Sequence, residues 1–184
     1  MATIIFDFDD TLFNTKTFIQ DVISALKSEG IPESGIRKTY DQMRKDYTFE
    51  KYVSAFENEH RIDKDKVLKK LNKLLSSKYV YKERIRILNN LKKSGNKVIL
   101  LTWTDKLEFQ KVKISKSGIG KYFEKKDIWI VQGSKLEFLK RKKISGEIYF
   151  VNDNKKENSE ISDHFEHFKI IEPKELAAKL FKKI

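Results

Sequence analysis

The chain has 184 residues, of which 39 are Lys or Arg and 27 Asp or Glu, for a formal charge of +12; 39% are hydrophobic and none is cysteine. That apolar share supports a packed core and excludes global disorder, and the lack of cysteine excludes a disulfide framework or a thiolate metal site. No run approaches the roughly 18 apolar residues of a membrane span, and the N-terminus lacks a basic stretch while Asp7, Asp9 and Asp10 break its apolar run, so a soluble, cytoplasmic protein without a signal peptide is expected.

Thr3, Ile4, Ile5 and Phe6 read as a first strand and lead directly into Asp7-Phe8-Asp9-Asp10-Thr11-Leu12. Four stripes at helical spacing follow. Phe18, Ile19, Val22, Ile23 and Leu26 form the first, which Gly30 closes, and Ile36, Tyr40, Met43 and Tyr47 the second. Phe49, Tyr52, Val53 and Phe56 form the third, and Val67, Leu68, Leu71, Leu74 and Leu75 the fourth. Residues 14–80 are therefore expected to make a small all-helical bundle inserted after the first strand, with the aromatic stripes as its core. A fifth helix over residues 82–93 then passes through Ser94-Gly95-Asn96, where Gly95 suits the left-handed position past a helix end.

A second strand is expected at 97–101, and others at 128–131, 148–151 and 168–171. These runs are apolar almost throughout, as strands buried on both faces should be. They alternate with helical patterns, which implies parallel strands joined by crossover helices. The expected fold is α/β, with a parallel-sheet core from residues 1–13 and 81–184 and the helical insert 14–80.

In a parallel sheet, ligands bind beyond the carboxyl ends of the strands, and the polar residues of this chain gather there. Alternation along the backbone turns Asp7 and Asp9 to one side, and two adjacent acids can divide the work of nucleophile and proton donor. An acidic loop whose Asp caps a helix is the plain alternative. A calcium loop fails, because Leu12 stands where its turn glycine belongs and Phe18 where its bidentate glutamate belongs. The second strand is followed by Thr102, the third by Lys135 at a helix start, and the fourth by Asn152-Asp153-Asn154 with Glu157 further on. Two acids, a hydroxyl, an ammonium and another acid suit a phosphoryl group and a divalent metal together. His60, His164 and His167 are read as solvated helix residues, since the last two have no third ligand beside them.

In these four motifs, in this order on consecutive strand ends, the chain resembles the haloacid-dehalogenase superfamily of Rossmann-like α/β hydrolases. The resemblance also covers the insert, which matches the family's helical cap. It implies that Asp7 is the nucleophile that becomes transiently phosphorylated and Asp9 the general acid and base. Thr102, the backbone N–H of Trp103, and Lys135 would hold the phosphoryl group. Asp153 would ligate Mg2+ with the Asp7 carboxylate and the Asp9 carbonyl oxygen, and Glu157 would support the metal indirectly. An acid at position 9 points to ester phosphates, because the family's dehalogenases have no acid there. Two departures stand out. Asn152 replaces the Gly or Asp usual before Asp153, so a metal beside it would lack one negative charge; Trp103-Thr104 replaces the frequent Asn-Gly after the hydroxyl.

The charge of +12 raises the question of nucleic acid. The basic residues are interleaved with acids through nearly every helix, however, and Lys140-Arg141-Lys142-Lys143 reads as a solvated helix end. The leading expectation is a magnesium-dependent phosphatase for a small phosphorylated metabolite. Its rivals are a phosphomutase, a nucleic-acid-binding module on the same fold, and a polynucleotide end-phosphatase, which a helical cap would obstruct.

Overall fold

Five strands form one parallel sheet: β1 (Thr3–Phe6), β2 (Lys97–Trp103), β3 (Ile128–Val131), β4 (Ile148–Val151) and β5 (Phe168–Ile171), in the order β3-β2-β1-β4-β5. The computed structural model describes residues 1–43, 47–142 and 144–180, apart from the side chain of Asn58; Lys143 of the basic run lies outside them. In chain order the helices are α1 (Thr15–Lys27), α2 (Glu33–Gln42), α3 (Phe49–His60), α4 (Lys64–Leu74), α5 (Lys82–Lys93), α6 (Leu107–Lys116), α7 (Lys135–Arg141), α8 (Lys155–His164) and α9 (Leu176–Leu180). Among the described residues no helix is long and apolar enough to cross a membrane.

The chain packs as two compact units. One comprises Met1–Asn14, Val80–Thr104 and Ile119–Ile184, and holds the sheet; the other comprises Thr15–Tyr79 and Asp105–Gly118, and is helical. The helical unit thus takes in α6, a stretch that follows β2 in sequence.

In the sheet unit, Ile5, Ile99, Leu101, Ile148 and Phe150 pack with Leu139 of α7 and Ile161 of α8. β4 is buried at all four positions, as a strand covered on both faces must be. Phe6 is level with Leu100 on β2 and with Val151 on β4, so the carboxyl ends of β1 and β4 lie side by side while β2 runs three residues further. The order reverses between β1 and β4, and that reversal opens a crevice at the strand ends. β2 runs two residues beyond its expected end, because Thr102 and Trp103 pair with Ile130 and Val131 on β3. Gly95, at φ 80°, ends α5 by donating to the Lys92 carbonyl, while Asn96 donates to that of Leu91. The Asn96 side chain then accepts from Ala2 N–H at 3.0 Å, which ties the entry to β2 to that of β1.

In the helical unit α1, α3 and α4 bury Phe18, Val22, Leu26, Tyr52, Val53, Val67 and Leu71. α2 ends at Gln42, so Tyr47 of the second stripe lies beyond it, yet its ring is buried against Tyr52 and Phe49. The Tyr52 hydroxyl donates to the Ile36 carbonyl at 2.6 Å and joins α3 to α2.

Phe150 is fully buried and level with Ile5. Phe150→Ala is expected to cost about 3–5 kcal/mol, a large part of the ~5–15 kcal/mol typical of a domain. The loss should be read as a lower urea midpoint at unchanged slope. A loss below about 1 kcal/mol would mean that β4 is not the central support of the sheet.

Candidate active site

Asp7 is the first residue past β1. Its N–H donates to the Val151 carbonyl at 2.9 Å, which carries the β1–β4 pairing one step beyond the strand and holds the carboxylate at the reversal point of the sheet. The residue is 5% exposed, and the Lys135 ammonium donates to its Oδ1 at 2.6 Å. Lys135 is itself 5% exposed and opens α7, whose start is capped by the Ser134 hydroxyl accepting from Glu137 N–H.

A second bond from Lys135 reaches Glu157 Oε2 at 2.9 Å. Glu157 lies in the first turn of α8, where the Asn154 side chain accepts from the N–H groups of Lys156 and Glu157. Asn152, fully buried just past β4, donates from Nδ2 to Glu157 Oε2 at 3.1 Å and to Asn158 Oδ1 at 3.0 Å. Asn158 returns a bond to the Asn152 carbonyl at 3.0 Å. Residues from three separate stretches of the sequence thus form one chain of charge-assisted bonds, Asp7–Lys135–Glu157–Asn152. The amide at 152 spends its donors on fixing Glu157, and its Oδ1 is a buried acceptor with no hydrogen-bond partner.

Burial pushes the Asp7 carboxyl up to about 7, against the pull of Lys135; the charges of Asp9 and Glu157 push the same way. Burial also works against the Lys135 ammonium, but the carboxylates of Asp7 and Glu157 overcome it and raise its pKa. Lys135 is thus a fixed cation, and Asp7 is an acid that gains from any further positive charge brought beside it.

Asp9 is half-buried, two residues on, in a closed loop. Leu12 and Phe13 N–H both donate to the Phe8 carbonyl, and Asp10 N–H donates to that of Phe13. Asp10 takes a left-handed φ of 51°, which Asp tolerates better than most residues. Arg84, in the first turn of α5, donates to the carbonyls of Asp10 and Thr11 at 2.9 and 2.7 Å, with its guanidinium 3.9 Å from the Tyr81 ring. Thr102 is buried on β2, one step past the level of Asp7, and Trp103 beyond it is 48% exposed. Asp153 is exposed and follows Asn152 at the end of β4.

Of the residues singled out in the sequence, Asp7, Lys135 and Glu157 meet in direct bonds, and Asp9 is near enough to act on Asp7 through its charge. Thr102, Trp103 and Asp153 reach the same sheet edge through the strand register. Arg84 and Asn158 escaped the sequence reading. Asn158 had a signal, since it stands three before Ile161 on the buried face of α8, where a polar side chain needs a partner.

Among the described residues no group of three or more His, Cys, Asp or Glu side chains is placed to hold a metal alone. Past the ends of β1 and β4 the chain offers the Asp7 carboxylate, of which Lys135 takes one atom, and, by position in the sequence, the Asp9 backbone and the Asp153 carboxylate. So sparse a set of hard oxygens fits magnesium, which is commonly held by one or two carboxylates and keeps several waters. The raised pKa of Asp7 fits a second cation equally well.

A family model described as haloacid dehalogenase-like hydrolase matches residues 1–154. No curated protein matches the chain. Among solved structures, one described as a haloacid dehalogenase-like hydrolase from Burkholderia xenovorans superposes with a TM-score of 0.69 at 17% identity, over 99% of this chain and 89% of that one. One described as a β-phosphoglucomutase from Thermotoga maritima gives 0.61 at 17% identity, over 100% of both chains. YfnB of Bacillus subtilis, described as a HAD-hydrolase bound to magnesium, gives 0.56 at 14% identity, over 97% of this chain and 98% of that one. Likeness at these identities establishes a common fold.

The electrostatics of Asp7 lead to a stability test. Its folded-state pKa of about 7 exceeds the ordinary 3.8. Between these values the unfolded chain has released the proton and the folded chain keeps it, so stability falls as pH rises through the window, and the penalty is complete above about 7. In metal-free protein, Asp7→Asn should therefore be more stable than wild type above that pH, by on the order of a few kcal/mol. The advantage should vanish toward the ordinary carboxylate range, as urea titrations across the window would show. A less stable variant at alkaline pH would mean that Lys135 outweighs burial.

Proposed function

Because the chain belongs to the haloacid dehalogenase-like hydrolase family, we propose that it is a phosphatase that uses Asp7 as nucleophile and requires magnesium. The observation that carries this reading is the buried Asp7–Lys135 pair at the reversal point of the sheet, with a second acid, Asp9, two residues on. Lys135 holds Asp7 Oδ1, so Oδ2 is the oxygen that attacks. It forms a bond to phosphorus as the bond from phosphorus to the leaving oxygen breaks, and Asp9 gives that oxygen a proton. Asp9, now ionised, takes a proton from water, whose oxygen attacks the aspartyl phosphate and frees inorganic phosphate and the Asp7 carboxylate. The Thr102 hydroxyl, the Trp103 N–H and the Lys135 ammonium are assigned to the non-bridging oxygens, where fixed donors stabilise charge that develops during transfer. Asp7, Asp153 and the Asp9 carbonyl would hold the metal, which when bound supplies positive charge to the phosphoryl oxygens and keeps Asp7 ionised.

Asp9 favours ester phosphates over halides, since an alkoxide needs a proton to leave and a halide does not. We assign the helical unit the role of a cap. The Thermotoga maritima protein's description suggests a mutase, which would return the phosphoryl group to its organic product; release of inorganic phosphate separates the two.

The decisive experiment compares two variants on 4-nitrophenyl phosphate, whose leaving group needs little protonation. Turnover should need magnesium and cease with excess chelator. Asp7→Asn should form no covalent intermediate, whereas Asp9→Asn should accumulate phosphate on Asp7, which hydroxylamine trapping and mass spectrometry would locate. Wild-type turnover in both variants, or a label elsewhere, would refute the mechanism.

Asn152 offers a second test. Its amide sits 3.1 Å from the Glu157 carboxylate, so Asn152→Asp would set two like charges side by side. Turnover should drop at least about tenfold, equivalent to about 1.4 kcal/mol, with no tightening of magnesium half-saturation. Tighter magnesium binding at full turnover would place residue 152 beside the metal instead.

A further inference from the structure

The proposed mechanism uses only the backbone N–H of Trp103 and leaves its side chain unused. The residue closes β2, one step past the buried Thr102. Alternation along the strand sets the indole on the same face as Ile99 and Leu101, which α7 and α8 cover. Val131, its cross-strand neighbour, faces the same way and packs in that cluster. The indole stands just beyond the cluster, over a depression of about 310 Å³ between α7 and α8, whose apolar lining is Trp103, Leu136 and Ile161. Trp129, the other tryptophan, is engaged at both ends: its indole N–H donates to the Lys126 carbonyl at 2.9 Å, and its ring lies 5.4 Å from that of Phe138. Among the described residues no hydrogen bond or ring contact engages the indole of Trp103, and about half of that residue is open to solvent.

The depression adjoins the catalytic network. Lys135, which holds Asp7, and Glu157, which holds Lys135, both line it. A phosphoryl group bound by Lys135 and the Trp103 N–H would therefore sit at its inner end, with the indole of that same residue beside the organic arm of the ester. The rim carries Lys156 and Glu160, both exposed, with their charged groups 3.9 Å apart. Opposite charges so close largely cancel, so the mouth favours neither a cationic nor an anionic arm. What it does offer is an open aromatic face above an apolar floor, and such a face prefers another flat ring.

We propose that the Trp103 side chain selects the leaving group, and that the substrate is a phosphate monoester whose organic part carries a planar aromatic ring stacked on the indole. This rests on the phosphatase reading and narrows its substrate class. The selectivity then comes from the end of a sheet strand, one residue from the hydroxyl assigned to the phosphoryl group. Stacking should favour an aromatic ring over a saturated ring of the same size by about two- to tenfold.

The test compares benzyl phosphate with cyclohexylmethyl phosphate, which leave as similar alkoxides and differ in the flatness of the ring. With magnesium, kcat/KM of the wild-type chain should favour the benzyl ester by about two- to tenfold, and in Trp103→Leu the ratio should fall to about one. Binding is read separately in the Asp7→Asn chain, which turns over neither ester. There 4-nitrobenzyl phosphate, whose ring quenches an indole that it stacks on, should quench the tryptophan fluorescence saturably, and adding Trp103→Leu should remove that response. Saturable quenching without turnover of any ester by the wild type would support the subsite and refute the phosphatase reading. Turnover with equal kcat/KM for the two esters, or quenching unchanged by Trp103→Leu, would overturn the proposal and leave the phosphatase reading intact.

Discussion

A carboxylate buried at the end of a central strand is expensive, and the sheet unit is arranged around meeting that cost. Removing an ion from water carries a penalty of several kcal/mol, so Asp7 needs a partner of fixed position. Lys135 provides one, but a buried ammonium is no less costly and needs a partner in turn. Glu157 supplies it, Asn152 anchors Glu157, and Asn158 anchors Asn152. Asp7 follows β1, Lys135 follows β3, and Asn152, Glu157 and Asn158 follow β4, so the network forms only when these three strands have their native neighbours. The site therefore depends on the topology, not on any one loop.

The same network leaves Asp7 short of full compensation, as its raised pKa shows. In the proposed reaction that shortfall favours bringing a further positive charge beside Asp7. Arg84 serves a different purpose. By gripping the carbonyls of Asp10 and Thr11 it shapes the loop that presents Asp9, without touching the carboxylates themselves.

Much of the architecture was legible because strands buried on both faces must be apolar throughout. Ile4, Ile5 and Phe6, or Ile148 to Val151, can hardly be read otherwise. The end of β2 was misjudged for the same reason: Thr102 leaves the apolar run but not the hydrogen-bonded ladder. Tyr47 fits a helical stripe and yet lies past α2, since burial of a ring does not require a helix beneath it. The meeting of Asp7 with Lys135, 128 residues away, could be anticipated only from a family pattern, because spacing carries no information over that distance. What Asn152 does was illegible, since an asparagine beside a metal and one bracing a glutamate look alike in sequence.

The two units are interleaved along the chain, and this bears on how a ribosome delivers the protein. β1 emerges first, yet its partner on one side, β4, follows some 140 residues later, a wait on the order of ten seconds at ordinary translation rates. Through that interval Ile4, Ile5 and Phe6 belong to a strand with an open edge, the kind of surface that chaperones bind. The helical unit waits too, since Phe109, which closes its ring cluster, is made after β2. It is complete in the growing chain at Gly118, before β3, β4 and β5 are made, so the sheet is the half that must wait longer.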